Sequence, residues 1–361
     1  MPGDAVASAA GRLQAHGMSE AGAESKVPQY RRCDAALDAC GAGNRRLSYW
    51  VPGRVELLGK HTDYAGGRSL LCAIERGFSV RLAPRKDAMI RVFDVVRNEH
   101  QEVRLATDTA GHAGDWSNYV GTVARRIARD FPEARRGVDI ALSSDLPSAA
   151  GLSSSTVMVV VVALALLDAN GILESSAFGR MFPSREELAV YLGAVESGAP
   201  HGAFGVDAGV GTLGGSQDHV AVLCCNAGQL SQFAFAPVRR EAEFPFLPGY
   251  SLVFGVSGIT ANKAGGARER YNRLSRAVAR LLERWNVETH RADATLAAAI
   301  ATASDAPDRL REIADRAADS QFTAQDLRDR LDQCLEEAYR LVPAAADLFR
   351  RGAVDELGAV V

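Results

Sequence analysis

The stretch VPGRVELLGKHTDYAGG, residues 51–67, decides how this chain is read. A phosphate-binding P-loop runs Gly-x-x-x-x-Gly-Lys-Ser/Thr, and Gly53, Gly59 and Lys60 invite that match. The match fails chemically. Five residues rather than four separate the glycines, and His61 stands where a hydroxyl must reach the metal. The intervening Arg-Val-Glu-Leu-Leu is also too bulky and apolar for a loop that presses bare backbone amides onto phosphate.

A better anion site lies downstream in SSDLPSAAGLSSSTV, residues 143–157. Pro147 fixes a turn, and Ala149, Ala150 and Gly151 are small enough for close backbone approach. Leu152 anchors the turn, while Ser153, Ser154 and Ser155 supply hydroxyls. The apolar run that follows reads as a helix, whose unpaired N–H groups and positive dipole end would face whatever sits in the turn. One serine would suffice as an ordinary N-cap; three in a row with Pro and small residues exceed that need.

Outward from these two stretches, the chain is ordinary in bulk. It has 361 residues, 47% hydrophobic and 24% charged, the balance of a globular protein with material for about two domains. A net charge of −3 and sparse aromatics give no reason to expect nucleic acid or an anionic membrane as partner. Its six cysteines form no Cys-x-x-Cys pair, so reduced thiols in a cytoplasmic protein are expected. The N-terminus lacks a signal-peptide core, and the longest apolar run, Val157 to Leu167, is too short to span a bilayer.

Residues 1–30, rich in Ala, Gly and Ser, read as a loosely ordered or weakly helical extension. SLLCAIERGFSVRLAPR, MIRVFDVV and GVDIALSS read as strands, as do VAVLCCNAGQLSQFAFAPV and YSLVFGVSG. WSNYVGTVARRIARDF and REELAVYLGAVES carry helical spacing, GAPHGAFGVDAGVGTLGGSQDH, residues 198–219, reads as a glycine-rich loop, and most of the chain beyond Ala267 reads as helix. This mixture without strict alternation predicts an α+β fold in two lobes, at 31–215 and 216–361.

Taken together, PGRVELLGKHTDYAGG and, some eighty residues on, SDLPSAAGLSSS resemble the galactokinase-like branch of the GHMP kinase superfamily. WSNYVGTV and GARERYNRLSRA resemble two further segments of that family. The resemblance implies a two-lobed fold, with an N-terminal lobe of the ribosomal S5 domain 2-like type and a C-terminal α/β lobe. It also implies ATP-dependent phosphorylation of a monosaccharide such as galactose at its anomeric hydroxyl, with ATP and Mg2+, in a cytoplasmic monomer.

By the same resemblance, Asp218 would accept or orient the sugar hydroxyl proton, and Arg54 would keep Asp218 ionised and stabilise the moving phosphoryl group. Asp63 would bind two neighbouring sugar hydroxyls, with Lys60, His61 and Tyr271 as further sugar contacts. The turn at Pro147, Ala150, Gly151, Leu152, Ser153, Ser154 and Ser155 would cradle the ATP phosphates. Ser155 and Glu196 would hold the metal, and Trp116 would lie near the adenine pocket.

The chain departs from that family in places. Lys60 stands where galactokinases carry glutamate, turning an acceptor into a donor, which raises the alternative of a hexuronate such as galacturonate. Glu56 replaces an asparagine, and Ser-Gln-Asp-His, residues 216–219, replaces a Met-Asp-Gln context. No third glycine-rich motif follows the last helices, so the C-terminal lobe is expected to be incomplete. A non-catalytic sugar- and ATP-binding protein, or a fragment, is the remaining alternative.

Overall fold

The structure is a computed structural model; it describes residues 2–111, 115–147, 151–246, 249–255 and 266–361. Two helices, α1 (Pro2–Ala15) and α2 (Glu20–Ala39), precede the sheet. The strands are β1 (Leu47–Leu58), β2 (Arg68–Pro84), β3 (Met89–Asp94) and β4 (Glu99–Arg104). After α3 (Ser117–Asp130), β5 (Val138–Ser144) leads through the serine turn into α4 (Ser154–Ala169). Helices α5 (Ser176–Met181), α6 (Arg185–Ser197) and α7 (Gln217–Cys224) then precede β6 (Gln229–Ala234) and β7 (Arg239–Pro245).

One mixed sheet runs β4-β3-β5-β2-β6-β7, with β1 paired to β2. β2 is the axis. β1 follows one of its edges antiparallel from Leu70 to Leu82, while β6 and β5 divide the other, at 68–71 and 78–84. Among the described residues only β3 and β5 pair in parallel. The chain is thus α+β, as the sequence predicts.

Helix α4 packs against this sheet and explains its own composition. Val157 and Val159 through Val162 are fully buried, so a run whose β-branched residues favour strands becomes a helix hydrophobic all round, inside the main core. Ser184 caps α6 by accepting from Glu187 N, and Gly198 ends it in a left-handed turn.

The C-terminal segment is helical: α8 (Gly266–Thr289), α9 (Leu296–Ile300), α10 (Ala306–Arg316), α11 (Ala324–Leu335) and α12 (Val342–Arg351). A π-helical turn at Glu336–Leu341 joins α11 to α12. Trp285, Leu310 and Leu331 centre a second core there, while Val342 and Phe349 of α12 return to the first. No helix among the described residues is long and apolar enough to cross a membrane.

Three sequence expectations are corrected. Within residues 2–30 the helical alternative holds and the loose one does not: α2 buries Ala23, Gln29 and Tyr30, and Tyr30 donates to Tyr49 O at 2.9 Å. Residues 217–219, read as loop, and VAVLC, read as strand, form the helix α7, because Val220, Ala221 and Cys224 fall on one buried face at helical spacing. Tyr250 to Gly255 form no strand, Val253 is exposed, and the rest of that stretch lies outside the described residues. Beyond residue 215, β6 and β7 join the same sheet.

Candidate active site

A cavity of about 170 Å³ opens where β1, the 59–66 turn, the start of α4, α6, α7 and α8 converge. Each wall is set by backbone. β1 alternates, so Arg54 and Glu56 project to the same face, and both line the cavity. Gly53 makes the approach possible: a Cβ there would lie 2.6 Å from Leu146 Cδ2 and 3.1 Å from Leu152 O. The strand of the first motif is thereby pressed directly onto the serine turn of the second.

The polar centre joins both motifs to α7. Arg54 Nε and Nη2 donate to Asp218 Oδ1 at 2.9 and 2.7 Å, and Arg54 Nη1 donates to Gly151 O at 2.7 Å. Ser153 Oγ donates to the other Asp218 oxygen at 2.7 Å. Burial opposes the Arg54 charge, but Asp218 and Glu56 outweigh it and hold the guanidinium above its usual range. Such charge-assisted bonds fix a carboxylate in one orientation beside a fixed positive charge.

The 59–64 turn forms the opposite wall. Asp63 is buried, lines the cavity, and accepts Gln217 N at 3.0 Å through Oδ2. Burial pushes its carboxyl above the ordinary range despite the backbone N–H groups of Gln217 and Tyr64. Only glycine fits opposite it, since a Cβ at Gly215 would sit 2.2 Å from Asp63 Oδ2. His61 has φ 57°, and its ring lies 5.4 Å from that of Tyr271 on α8. Lys60 lines the rim, exposed and without an ion-pair partner within 4 Å among the described residues. Burial pushes the nearby Glu56 carboxyl up, with Lys60 and Arg54 opposing.

On the third wall, Thr156 Oγ1 donates to Glu196 Oε2 at 3.1 Å, and His219 Nε2 lies 3.2 Å from the same oxygen. A hydroxyl and a carboxylate side by side suit Mg2+, which takes few protein oxygens and completes its sphere with phosphate and water. It is Thr156, one residue beyond Ser155 on α4, that lines the cavity. Ser153 sits in a left-handed conformation, Leu152 is buried, and Ser154 is exposed at the start of α4. Pro147 ends the described part of the turn before 148–150, so Ala150 lies outside the described residues. Trp116 packs against the main core rather than lining the cavity.

Sequence reasoning missed the residues that hold these walls. Asn272 Oδ1 accepts Leu213 N at 2.8 Å and its Nδ2 donates to Gly211 O at 3.0 Å, clamping the glycine-rich loop to α8. Arg330 on α11 donates to His61 O at 2.5 Å and to Tyr64 Oη at 3.0 Å. Glu337, on the π-helical turn, accepts Gly59 N at 2.8 Å. Their partners are mostly backbone atoms far away in the chain, so no local pattern announces them.

Known proteins match in the same regions. Residues 42–84 match the galactokinase galactose-binding signature, and residues 118–215 match the N-terminal domain of GHMP kinases. A galactokinase of Actinobacillus pleuropneumoniae is 33% identical over 135 residues, 37% of this chain and 35% of that protein. One of Chloroflexus aurantiacus is 36% identical over 161 residues, 44% of this chain and 37% of the relative. These matches therefore span little more than a third of the relatives' own length. The crystal structure of Lactococcus lactis galactokinase complexed with galactose shares the fold, with a TM-score of 0.66 at 18% identity, over 91% of this chain and 76% of that one.

Proposed function

We propose that this chain, which belongs to the galactokinase-like branch of the GHMP kinase superfamily, is an ATP-dependent sugar 1-kinase acting on galactose or a close relative. The observation that carries the reading is the Arg54–Asp218–Ser153 cluster, which faces a cavity walled on its other side by Asp63. Phosphoryl transfer needs a hydroxyl held in line with the γ-phosphate and positive charge around the moving group, with little covalent chemistry from the protein.

In this reading Asp63 accepts hydrogen bonds from sugar hydroxyls, with His61 and Tyr271 beside the ring. Asp218 accepts the proton of the anomeric hydroxyl as the O–P bond forms, and ADP leaves with the bridging oxygen. Arg54 keeps its charge next to Asp218 and stabilises the transferred group. The turn at 147–155 receives the ATP phosphates at the N-terminus of α4, the positive end of a helix. Glu196 with Thr156 or Ser155 would hold Mg2+, which would neutralise phosphate charge when bound. The protein is proposed to act as a cytoplasmic monomer without nucleic-acid partners.

One observation favours a second substrate. Lys60 brings an exposed ammonium to the rim where the sugar's exocyclic end would lie, and a hexuronate carboxylate would pair with it. Glu56 beside it disfavours a second carboxylate, so galactose remains the first choice. ADP release by this chain with Mg-ATP, measured against galactose, galacturonate, arabinose and glucose, tests both. Turnover on galactose supports the main reading, and turnover on galacturonate alone supports the second. Silence on all four, from folded protein that still binds a sugar, would replace both with a non-catalytic binding protein.

A further inference from the structure

His219 follows Asp218 on α7, and its side chain is only 3% exposed, yet neither ring nitrogen has a hydrogen-bond partner among the described residues. Burying such a group unpaired is costly, and native structures rarely leave one without a ligand, water or ion in prospect. Nε2 is 3.2 Å from Glu196 Oε2 but outside hydrogen-bond geometry, so the carboxylate does not satisfy it. Thr156 Oγ1 is 3.1 Å from that same oxygen.

These separations have a familiar meaning. Two donors bound to one metal at about 2.1 Å lie about 3.0 Å apart along an octahedral edge and about 3.4 Å along a tetrahedral one, by simple geometry from that bond length. Both observed separations fall between. The three side chains come from α4, α6 and α7 and all line the cavity. No trio of His, Cys, Asp and Glu converges among the described residues, so the third donor is a hydroxyl.

We propose that Thr156, Glu196 and His219 form a single divalent-metal site that prefers a nitrogen-accepting transition ion such as Mn2+ to Mg2+. Mg2+ takes oxygen ligands and gains little from imidazole, whereas first-row transition ions gain a bond. Among the described residues His219 Nδ1 has no hydrogen-bond partner, so no second bond fixes the ring, and the affinity is modest for that reason. The placement of this metal beside ATP rests on the kinase reading; its ligands do not.

The test is Mn2+ binding by the whole chain, followed by electron paramagnetic resonance without sugar or nucleotide. The expected result is one bound Mn2+, about tenfold tighter than Mg2+ by competition, the scale on which single groups around a metal act, with nitrogen modulation in the spin echo. His219→Gln should lose the nitrogen signal and most of the preference, and Glu196→Gln should lose both ions. Bound Mn2+ without nitrogen coupling overturns the proposal, as does an unchanged preference in His219→Gln. Mn2+ held only with ATP and without nitrogen coupling also overturns it, by assigning His219 to phosphate oxygens. The spin-echo result comes from the unmodified protein, so it stands whether or not a variant folds. A chain that binds Mn2+ through nitrogen but phosphorylates no sugar would retain this site and lose only the kinase reading.

Discussion

At the scale of single residues, Asp218 and Arg54 make the sharpest demands. Asp218→Asn keeps the shape but removes the proposed proton acceptor, so kcat for the proposed sugar phosphorylation should fall by about 10³-fold, within the range for general base catalysis. Arg54→Met should cost about 10²- to 10³-fold, the scale of losing one stabilising donor. Steady-state kinetics checks both, and near-normal kcat in either would remove that residue from the chemistry. Asp63 makes a different prediction. Its carboxyl is pushed up by burial, so the native state holds the proton more tightly than the unfolded chain. Stability from this group therefore falls as pH rises from about 4, the ordinary carboxylate value, through the raised value, and is level above it. Asp63→Asn removes that slope, so denaturant titrations should show the variant gaining on the parent across the same window. A difference independent of pH would contradict the burial of a proton-binding Asp63. Arg54 and Asp63 were legible because the contiguous 51–67 motif carries them, while Asp218 was read only through the family resemblance. Asn272 and Arg330 were not legible, because the partners through which they hold the walls lie 59 to 269 residues away.

At the scale of elements, the cavity is a junction whose walls are held from behind. The turn at 59–64 is latched by α11 and the π-helical turn: Arg330 holds His61 O, Gln333 Nε2 donates to Lys60 O at 3.0 Å, and Glu337 takes Gly59 N. π-helical insertions recur at functional sites, and this one carries Glu337. Arg330→Ala should raise the sugar KM by about tenfold, since misplacing binding groups by a fraction of an ångström is costly, and leave the ATP KM within about twofold. An equal rise in both KM values would point to general loosening instead. The opposite wall is tied to α3, where Arg125 donates to Asp207 at 2.9 Å and Asn118 to Val210 O at 3.0 Å. Element types were mostly legible: α3, α4, α6, β2, β3 and β5 follow from periodicity and turn residues. VAVLCC carries β-branched residues that local preference assigns to a strand, and packing of the α7 face decides otherwise, whereas the exposed YSLVF pairs with no strand among the described residues.

At the scale of the whole molecule, one sheet and two cores hold the site between them. The helical core around Trp285 supplies the latch, and α12 ties that segment back to the sheet. The N-terminal helices close the sheet from another side through Lys26, whose ammonium pairs with Asp145 just before the serine turn. This packing also governs the thiols. Burial pushes Cys33, Cys224 and Cys225 up to about 12 and Cys72 up to about 11, so these sulfurs stay protonated and inert at neutral pH. A thiol reagent should therefore label the native protein first at half-buried Cys40 and reach all six cysteines only in denaturant. Rapid native labelling at Cys33 would show that α2 does not pack as described. The α+β class and the meeting of the two motifs were readable from the chain. The packing of α1 and α2 was not, because an Ala- and Gly-rich composition carries little signal for which face is buried.

The central claim is that a sugar's anomeric hydroxyl is phosphorylated between Asp218 and Asp63. The most direct measurement is NMR of the products formed by the folded chain from ATP and galactose labelled with ¹³C at C1. The account predicts a new phosphorus resonance coupled to the labelled carbon, formed in step with ADP and absent from the Asp218→Asn reaction. Phosphate on another carbon, or ATP loss with the sugar unchanged, would contradict it.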